Sequence, residues 1–159
     1  MHISARVDYG VQALLHLTRA QHEAGSLGTD AYLSTHEIAE HAGISVKFLE
    51  GIMADLRRSG LVQSRRGAVG GFSLTRSADE ISLADVVRCL DGPLAAVRGS
   101  APENQKYSEP ASRLTDVWVA LRSAMRNVLE DCTLAQVESG ALPEPLNELL
   151  RQDGAWQRR

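Results

Sequence analysis

Apolar residues recur along this chain at helical spacing in five stretches, interrupted once by a short region that reads as strands around a glycine-rich turn. In the first stretch, residues 3–24, Val7, Val11, Leu14, Leu15 and Thr18 lie along one face and predict a long helix that ends at Gly25. Tyr9, Ala13 and His16 lie on a neighbouring face, so this helix can serve two partners. Residues 25–32 are a polar loop. Two short helices then follow across a glycine. Ser34 and Glu37 have the spacing of a capping box, with Leu33 and Ile38 as its hydrophobic staple, and Ile38, Ala39 and Ala42 form the apolar face. Gly43 supplies the turn, Ser45 is an N-cap, and Val46, Leu49, Ile52, Met53 and Leu56 form the next stripe, which Gly60 closes.

Leu61 to Ser64 and Phe72 to Leu74 read as two strands of a hairpin, with Arg65, Arg66, Gly67, Gly70 and Gly71 at its tip. The fold class expected is therefore mainly α with a small β-hairpin: a winged helix-turn-helix over residues 1–80, with its first helix at 3–24, helix-turn-helix at 34–59 and wing at 61–75. Beyond it, Ser82 and Asp85 cap a helix striped by Leu83, Val86, Val87 and Leu90, which Gly92-Pro93 ends. Residues 94–109, rich in Gly, Ser, Pro and charge, read as a long loop of the kind that is functional or disordered. Pro110 suits the first turn of a helix of about twenty residues. Its Leu114, Val117, Trp118, Leu121, Met125 and Val128 recur at threes and fours, as in a coiled-coil seam, and predict dimerisation with a second copy. Residues 81–140 thus form a connecting helix, loop and dimerisation helix, with a short helical turn from Thr133 to Val137, and residues 141–159 a partly mobile tail.

Charge sharpens this picture. The 159-residue chain carries 17 Lys and Arg against 20 Asp and Glu, a net of −3. Residues 45–76, by contrast, hold six basic and two acidic side chains, a net of +4. Positive charge is concentrated where a recognition helix and wing meet DNA. The expected DNA contacts are Ser34 and Thr35, then Ser45, Lys47, Phe48 and Glu50 of the second helix, Arg57, and Arg65, Arg66, Gly67, Gly70 and Gly71 of the wing. Arginines on a slim tip suit a minor groove. No membrane-spanning apolar run and no signal-peptide pattern occur, so a cytoplasmic protein is expected. Nucleophile-elbow, P-loop, dinucleotide and zinc-protease motifs are missing, which argues against an enzyme. A winged module that binds protein instead of DNA is disfavoured by the arginines of the wing.

In order and spacing, several segments resemble the Rrf-type family of bacterial winged-helix regulators. They are Tyr9-Gly10-Val11, E-I-A-E-H-A-G-I-S, the S-x-x-F-L-E of Ser45 to Glu50, and L-R-R-S-G-L-V from Leu56. The set continues with R-R-G-x-x-G-G-F from Arg65, I-S-L-A-D-V-V from Ile81, and D-G-P from Asp91. The resemblance implies a homodimer that sets two winged domains on successive major grooves of a dyad-symmetric operator. It also implies base or backbone contacts from Ser45, Lys47, Phe48 and Glu50, minor-groove insertion of Arg66, and, for most members, repression. Cluster-binding members carry three cysteines in the loop before the dimerisation helix; here residues 94–109 contain none. Asp8 stands where some relatives supply a fourth, carboxylate ligand. No cofactor or metal site is expected from this donor set, and an iron–sulfur or metal sensor with atypical ligands is the alternative. Three further signals are open: a small molecule in a pocket lined by Asp8, Tyr9 and Trp118, thiol chemistry at Cys89 or Cys132, or a protein partner. His36 and His41, or His16 and His22, are wrongly spaced to chelate within one helix, so a metal site would need distant segments.

Overall fold

A computed structural model describes residues 2–26, 31–67 and 70–157. The centre of the predicted loop at 25–32, residues 27–30, and positions 68–69 of the wing tip lie outside the described residues. Helix α1 (Ala5–Gly25) starts where the Ser4 hydroxyl accepts from the Val7 N–H. Its buried face is broader than the predicted stripe, taking in Gly10, Ala13 and Leu17 as well as Val7, Leu14 and Thr18. The Thr18 hydroxyl is satisfied by donating to the Leu14 carbonyl at 2.9 Å. At Gly10 a Cβ would come within 2.4 Å of a Leu90 methyl, so a larger residue there requires the Leu90 side chain to move.

Helices α2 (Thr35–Ala42) and α3 (Val46–Arg58) form the predicted helix-turn-helix. Both arms of the Ser34–Glu37 capping box are made, Gly43 takes the left-handed conformation at φ 66°, and Ser45 caps α3 by accepting from the Phe48 N–H. Leu49, Ile52, Met53 and Leu56 are buried to the last methyl against α1. Strands β1 (Val62–Arg65) and β2 (Gly71–Leu74) pair antiparallel with Val62 opposite Leu74 and Arg65 opposite Gly71. Leu33 extends this ribbon by exchanging two backbone hydrogen bonds with Phe72, at 3.0 and 2.7 Å. A Cβ at Gly71 would stand 2.4 Å from the Leu33 carbonyl oxygen, and one at Gly70 2.3 Å from that of Arg65. The two glycines predicted at the tip thus have a steric duty in closing it.

Packing does not divide at residue 80, where the sequence suggested a domain boundary. Helix α4 (Leu83–Leu90) begins with a complete Ser82–Asp85 capping box. Ile81 and Val86 are fully buried in the same cluster as Leu14 and Ile52. After α5 (Leu114–Leu129) the chain returns: the Leu83 N–H donates to the Cys132 carbonyl at 2.8 Å and the Leu134 N–H to that of Ile81 at 3.0 Å. Helix α6 (Leu134–Ser139), capped by Thr133 and Gln136 at the predicted place, lays Leu134 into that core and packs on α1. Ile81, Val86 and Leu134 thus tie the segment that begins at residue 81 to the core of the winged motif.

Two further expectations are corrected. The helix expected to dimerise has 16 residues and starts at Leu114, not Pro110. Residues 108–114 spend their donors on successive turns, Ala111 N–H to the Ser108 carbonyl and Leu114 N–H to that of Ala111, and Thr115 pins the helix start to the Gln105 carbonyl. The 94–109 loop is folded: Val97 and Ser100 pair through two backbone hydrogen bonds, and a 3₁₀ turn at Pro102–Asn104 packs on α5. In the predicted tail, Glu144–Arg151 form helix α7, entered through Pro143.

The fold also joins His16 to His41. Their rings stack with centroids 5.1 Å apart, uniting α1 and α2 where neither helix alone could pair histidines. Burial first, then the facing His41 and Arg19, holds the His16 pKa below the usual imidazole value. The unfolded chain therefore binds this proton more readily than the folded one. Stability should rise with pH through the window extending downward from the usual imidazole value, and His16→Asn should flatten that rise in urea melts taken at successive pH values. Leu134→Ala should cost about 2–5 kcal/mol and move the single transition of the whole domain. A loss confined to a few tenths of a kcal/mol would return α6 to the status of an appendage.

Candidate nucleic-acid interface

The N-terminal half of α3 is presented to solvent because its other side is spent on the core. Ser45, Lys47, Phe48 and Glu50 are exposed, interleaved with buried Leu49 and Ile52. The Ser45 hydroxyl accepts from the Phe48 N–H and that of Ser34 from the Glu37 N–H, which engages each oxygen as an acceptor and fixes both residues at helix N-termini. Thr35 follows directly at the first turn of α2, half-buried. Phe48 is 40% exposed and meets the edge of Tyr9, ring centroids 5.9 Å apart and planes at 86°. Tyr9, read from sequence as a pocket liner, thus braces the recognition helix from α1.

Ion pairing sorts the arginines of this face. Asp55, inside α3, is held by Arg58 at 2.7 Å and by Arg6 of α1, so its charge is spent within the scaffold. Arg76 is paired with Asp85 at 3.1 Å. Arg57 donates instead to the Ser64 hydroxyl of β1 at 3.3 Å, tying the end of α3 to the wing. Arg65 lies over the Tyr32 ring, 4.1 Å from its centroid. Lys47, Arg57 and Arg66 have no carboxylate in ion-pair distance among the described residues. Arg66 and Gly67 are exposed at the start of the wing tip, whereas Gly70 and Gly71 are half-buried where the tip closes. Sequence reasoning missed Tyr32, Asp55 and Arg6. Each acts across tens of residues in the chain, with no periodic pattern to announce it.

The other predicted sites are scattered. Asp8 accepts from the Gln12 side chain at 2.8 Å on the surface of α1. Trp118 lies instead on α5, lining a groove of about 630 Å³ with Val87, Val97, Leu121 and Met125, so the pocket expected from Asp8, Tyr9 and Trp118 is not assembled. The Trp118 indole N–H is buried there without an acceptor. Cys89 donates its thiol hydrogen toward the Ser59 hydroxyl at 3.0 Å, and Cys132 is buried, which raises its pKa by desolvation. Among the described residues no group of three or more His, Cys, Asp or Glu side chains is arranged to hold a metal ion. No helix among them is long and apolar enough to cross a membrane. Along α5, Leu114, Trp118, Met125 and Val128 are half-buried while Val117 and Leu121 are 54% and 36% exposed. No residue of this helix is buried.

A capped helix-turn-helix followed by an arginine-bearing hairpin, with Asp55 and Asp85 paired to arginines within the scaffold, defines a winged-helix DNA-binding protein. The chain belongs to the Rrf2 family, whose model, described as an iron-dependent transcriptional regulator, matches residues 3–139. It is thus a DNA-binding transcriptional regulator and not an enzyme. A protein of Mycobacterium tuberculosis named as an HTH-type transcriptional regulator is 45% identical over 149 residues, covering 94% of this chain and 88% of its own length. The regulator CymR of Bacillus subtilis is 33% identical over 139 residues, 87% of this chain and 91% of CymR. Among solved structures, B. subtilis CymR, described as a global cysteine regulator, superposes with a TM-score of 0.71 at 32% identity, over 88% of this chain and 98% of its own. IscR of T. potens superposes with a TM-score of 0.68 at 30% identity, over 91% and 90%.

Proposed function

We propose that this chain acts as a homodimer on a dyad-symmetric operator, represses by occupying it, and answers to a signal other than an iron–sulfur cluster. The observation that supports the reading best is an exposed α3 face and wing tip whose cations, Lys47 and Arg57 of α3 and Arg66 of the wing, no described carboxylate neutralises. Uncompensated cations gain most from phosphate, because no existing ion pair must be broken. Lys47, Phe48 and Glu50 read base edges in a major groove, Arg57 and the N-termini of α2 and α3, at Thr35 and Val46, approach the backbone, and Arg66 enters the minor groove. The cytoplasm is the compartment this implies.

Dimerisation through α5 is supported by Val117 and Leu121, large apolar side chains left in water on a helix none of whose residues is fully buried in its own chain. The residues present do not fit a cluster. The 94–109 loop offers no thiolate, Cys132 is turned into the core, Cys89 faces Ser59 and Asp8 is engaged by Gln12.

Two measurements test the reading. Arg66→Ala should lower affinity for a duplex selected from a random-sequence pool and reduce the slope of log K against log salt by about 1 per subunit. Fluorescence anisotropy at several salt concentrations reads both, and an unchanged slope removes Arg66 from the interface. Leu121→Glu should raise the dimer dissociation constant about tenfold or more in sedimentation equilibrium. Dimers of undiminished strength would place the interface elsewhere.

A further inference from the structure

The segment joining α4 to α5 folds over α5 and shapes a pocket of about 330 Å³, which adjoins the Trp118 groove across Pro93, Leu94 and Ala96. One wall is small and apolar, with Pro93, Leu94 and the turn at Gly99 and Ser100. The other carries three guanidinium groups, Arg88 from α4 and Arg122 and Arg126 from α5. Their counter-charges fall short. Glu130 is shared by Arg88 and by Arg126, the latter at 3.7 Å, and Glu103 pairs with Arg122 at 2.5 Å. Three cations therefore share two carboxylates, both of which are about half exposed and neither of which lines the pocket.

Arg122 is the most telling of the three. Its side chain is only 16% exposed, and its one ion-pair partner among the described residues is Glu103. A guanidinium presents five N–H donors in a rigid fork, and withdrawing it from water leaves the remainder to be satisfied. Burial also strengthens whatever anion it meets, since screening by water is weak there. We propose that this pocket binds a compact dianion, carrying phosphate or carboxylate groups on a short carbon skeleton. Guanidinium groups from two helices converge on the anion, the Ser100 hydroxyl can donate to it, and Pro93 and Leu94 receive the apolar part. The volume sits at the lower end of small-molecule sites, which excludes nucleotides and other large cofactors.

The location gives such a ligand leverage. Arg88 belongs to the helix that packs on α3, and Arg122 and Arg126 to the helix that carries the exposed seam. A dianion held between them fixes α4 against α5 and competes with Glu130 for both of its arginines. On the reading of this chain as a dimeric DNA-binding regulator, on which this last step rests, that contact couples the pocket to the spacing of the recognition helices.

Isothermal titration of the full-length protein with sodium phosphate, and separately with sodium succinate, each against sodium chloride at matched ionic strength, tests the site without DNA. Saturable binding of one anion per chain is expected, weakened about tenfold or more in Arg126→Gln, whose side chain is half exposed, and in Arg122→Gln. Binding of phosphate alone assigns a phosphorylated ligand, and of succinate alone a dicarboxylate. Absence of saturable heat with either anion, or equal affinity in the parent and Arg126→Gln, overturns the proposal. Anisotropy with duplex DNA in the same buffers keeps the two readings apart. DNA binding without anion binding removes only the pocket, whereas saturable anion binding without DNA binding retains the pocket and removes the regulatory coupling.

Discussion

The structure depends on one short stitch of backbone. Around Ser82 and Thr133 the chain pairs with itself, through Leu83 to Cys132 and Leu134 to Ile81, and seats two fully buried side chains, Ile81 and Leu134, on α1 and α3. Every residue from α4 through α5 belongs to an excursion whose two feet are fastened there. A helix projecting from a small domain by one end would swing. Held at both ends, α5 has a defined position relative to α3, and a dimer built on it presents two recognition helices at one separation. On the proposed reading of two half-sites about one helical turn apart, that rigidity is the physical condition of specificity.

Charge is handled with similar economy. The chain is acidic overall, and much of its acid is used for structure: Asp55 holds Arg6 and Arg58, Asp85 caps α4 and holds Arg76, Glu37 closes a capping box, Glu138 meets Arg19. What remains on the α3 and wing face is an excess of cation. Specific placement of carboxylates, not total charge, makes an acidic protein attractive to DNA. Net charge alone would have pointed the other way.

Features legible in the sequence are those whose physical cause spans a few residues. The Ser34–Glu37, Ser82–Asp85 and Thr133 caps, the Gly43 turn and the stripe of α3 all stand where local chemistry put them. The exposed character of Lys47, Phe48 and Glu50 followed from the same stripe, since residues off it have nowhere to go but outward. Illegible were features that require the fold to exist first. Tyr9 against Phe48, Arg65 over Tyr32 and His16 on His41 join positions separated by 25 residues or more, and nothing periodic marks them. Pro110 misled because a proline that suits a first helical turn suits a preceding reverse turn equally well. The boundary at residue 80 misled because a complete winged motif was taken for a complete core, when Ile81 and Leu134 still had to be buried.

The stitch has a consequence for how such a protein can change over generations. Closing a loop of n residues carries an entropy that grows only as the logarithm of n, about 0.6 kcal/mol for each doubling. Insertions and deletions in the segment between α4 and α5 therefore leave the DNA-reading core nearly as stable as before, so long as Ile81, Val86 and Leu134 keep their places in it. The excursion is thus the part of the molecule free to diverge, and a lineage can acquire a new chemical sense there while inheriting its reader of DNA intact.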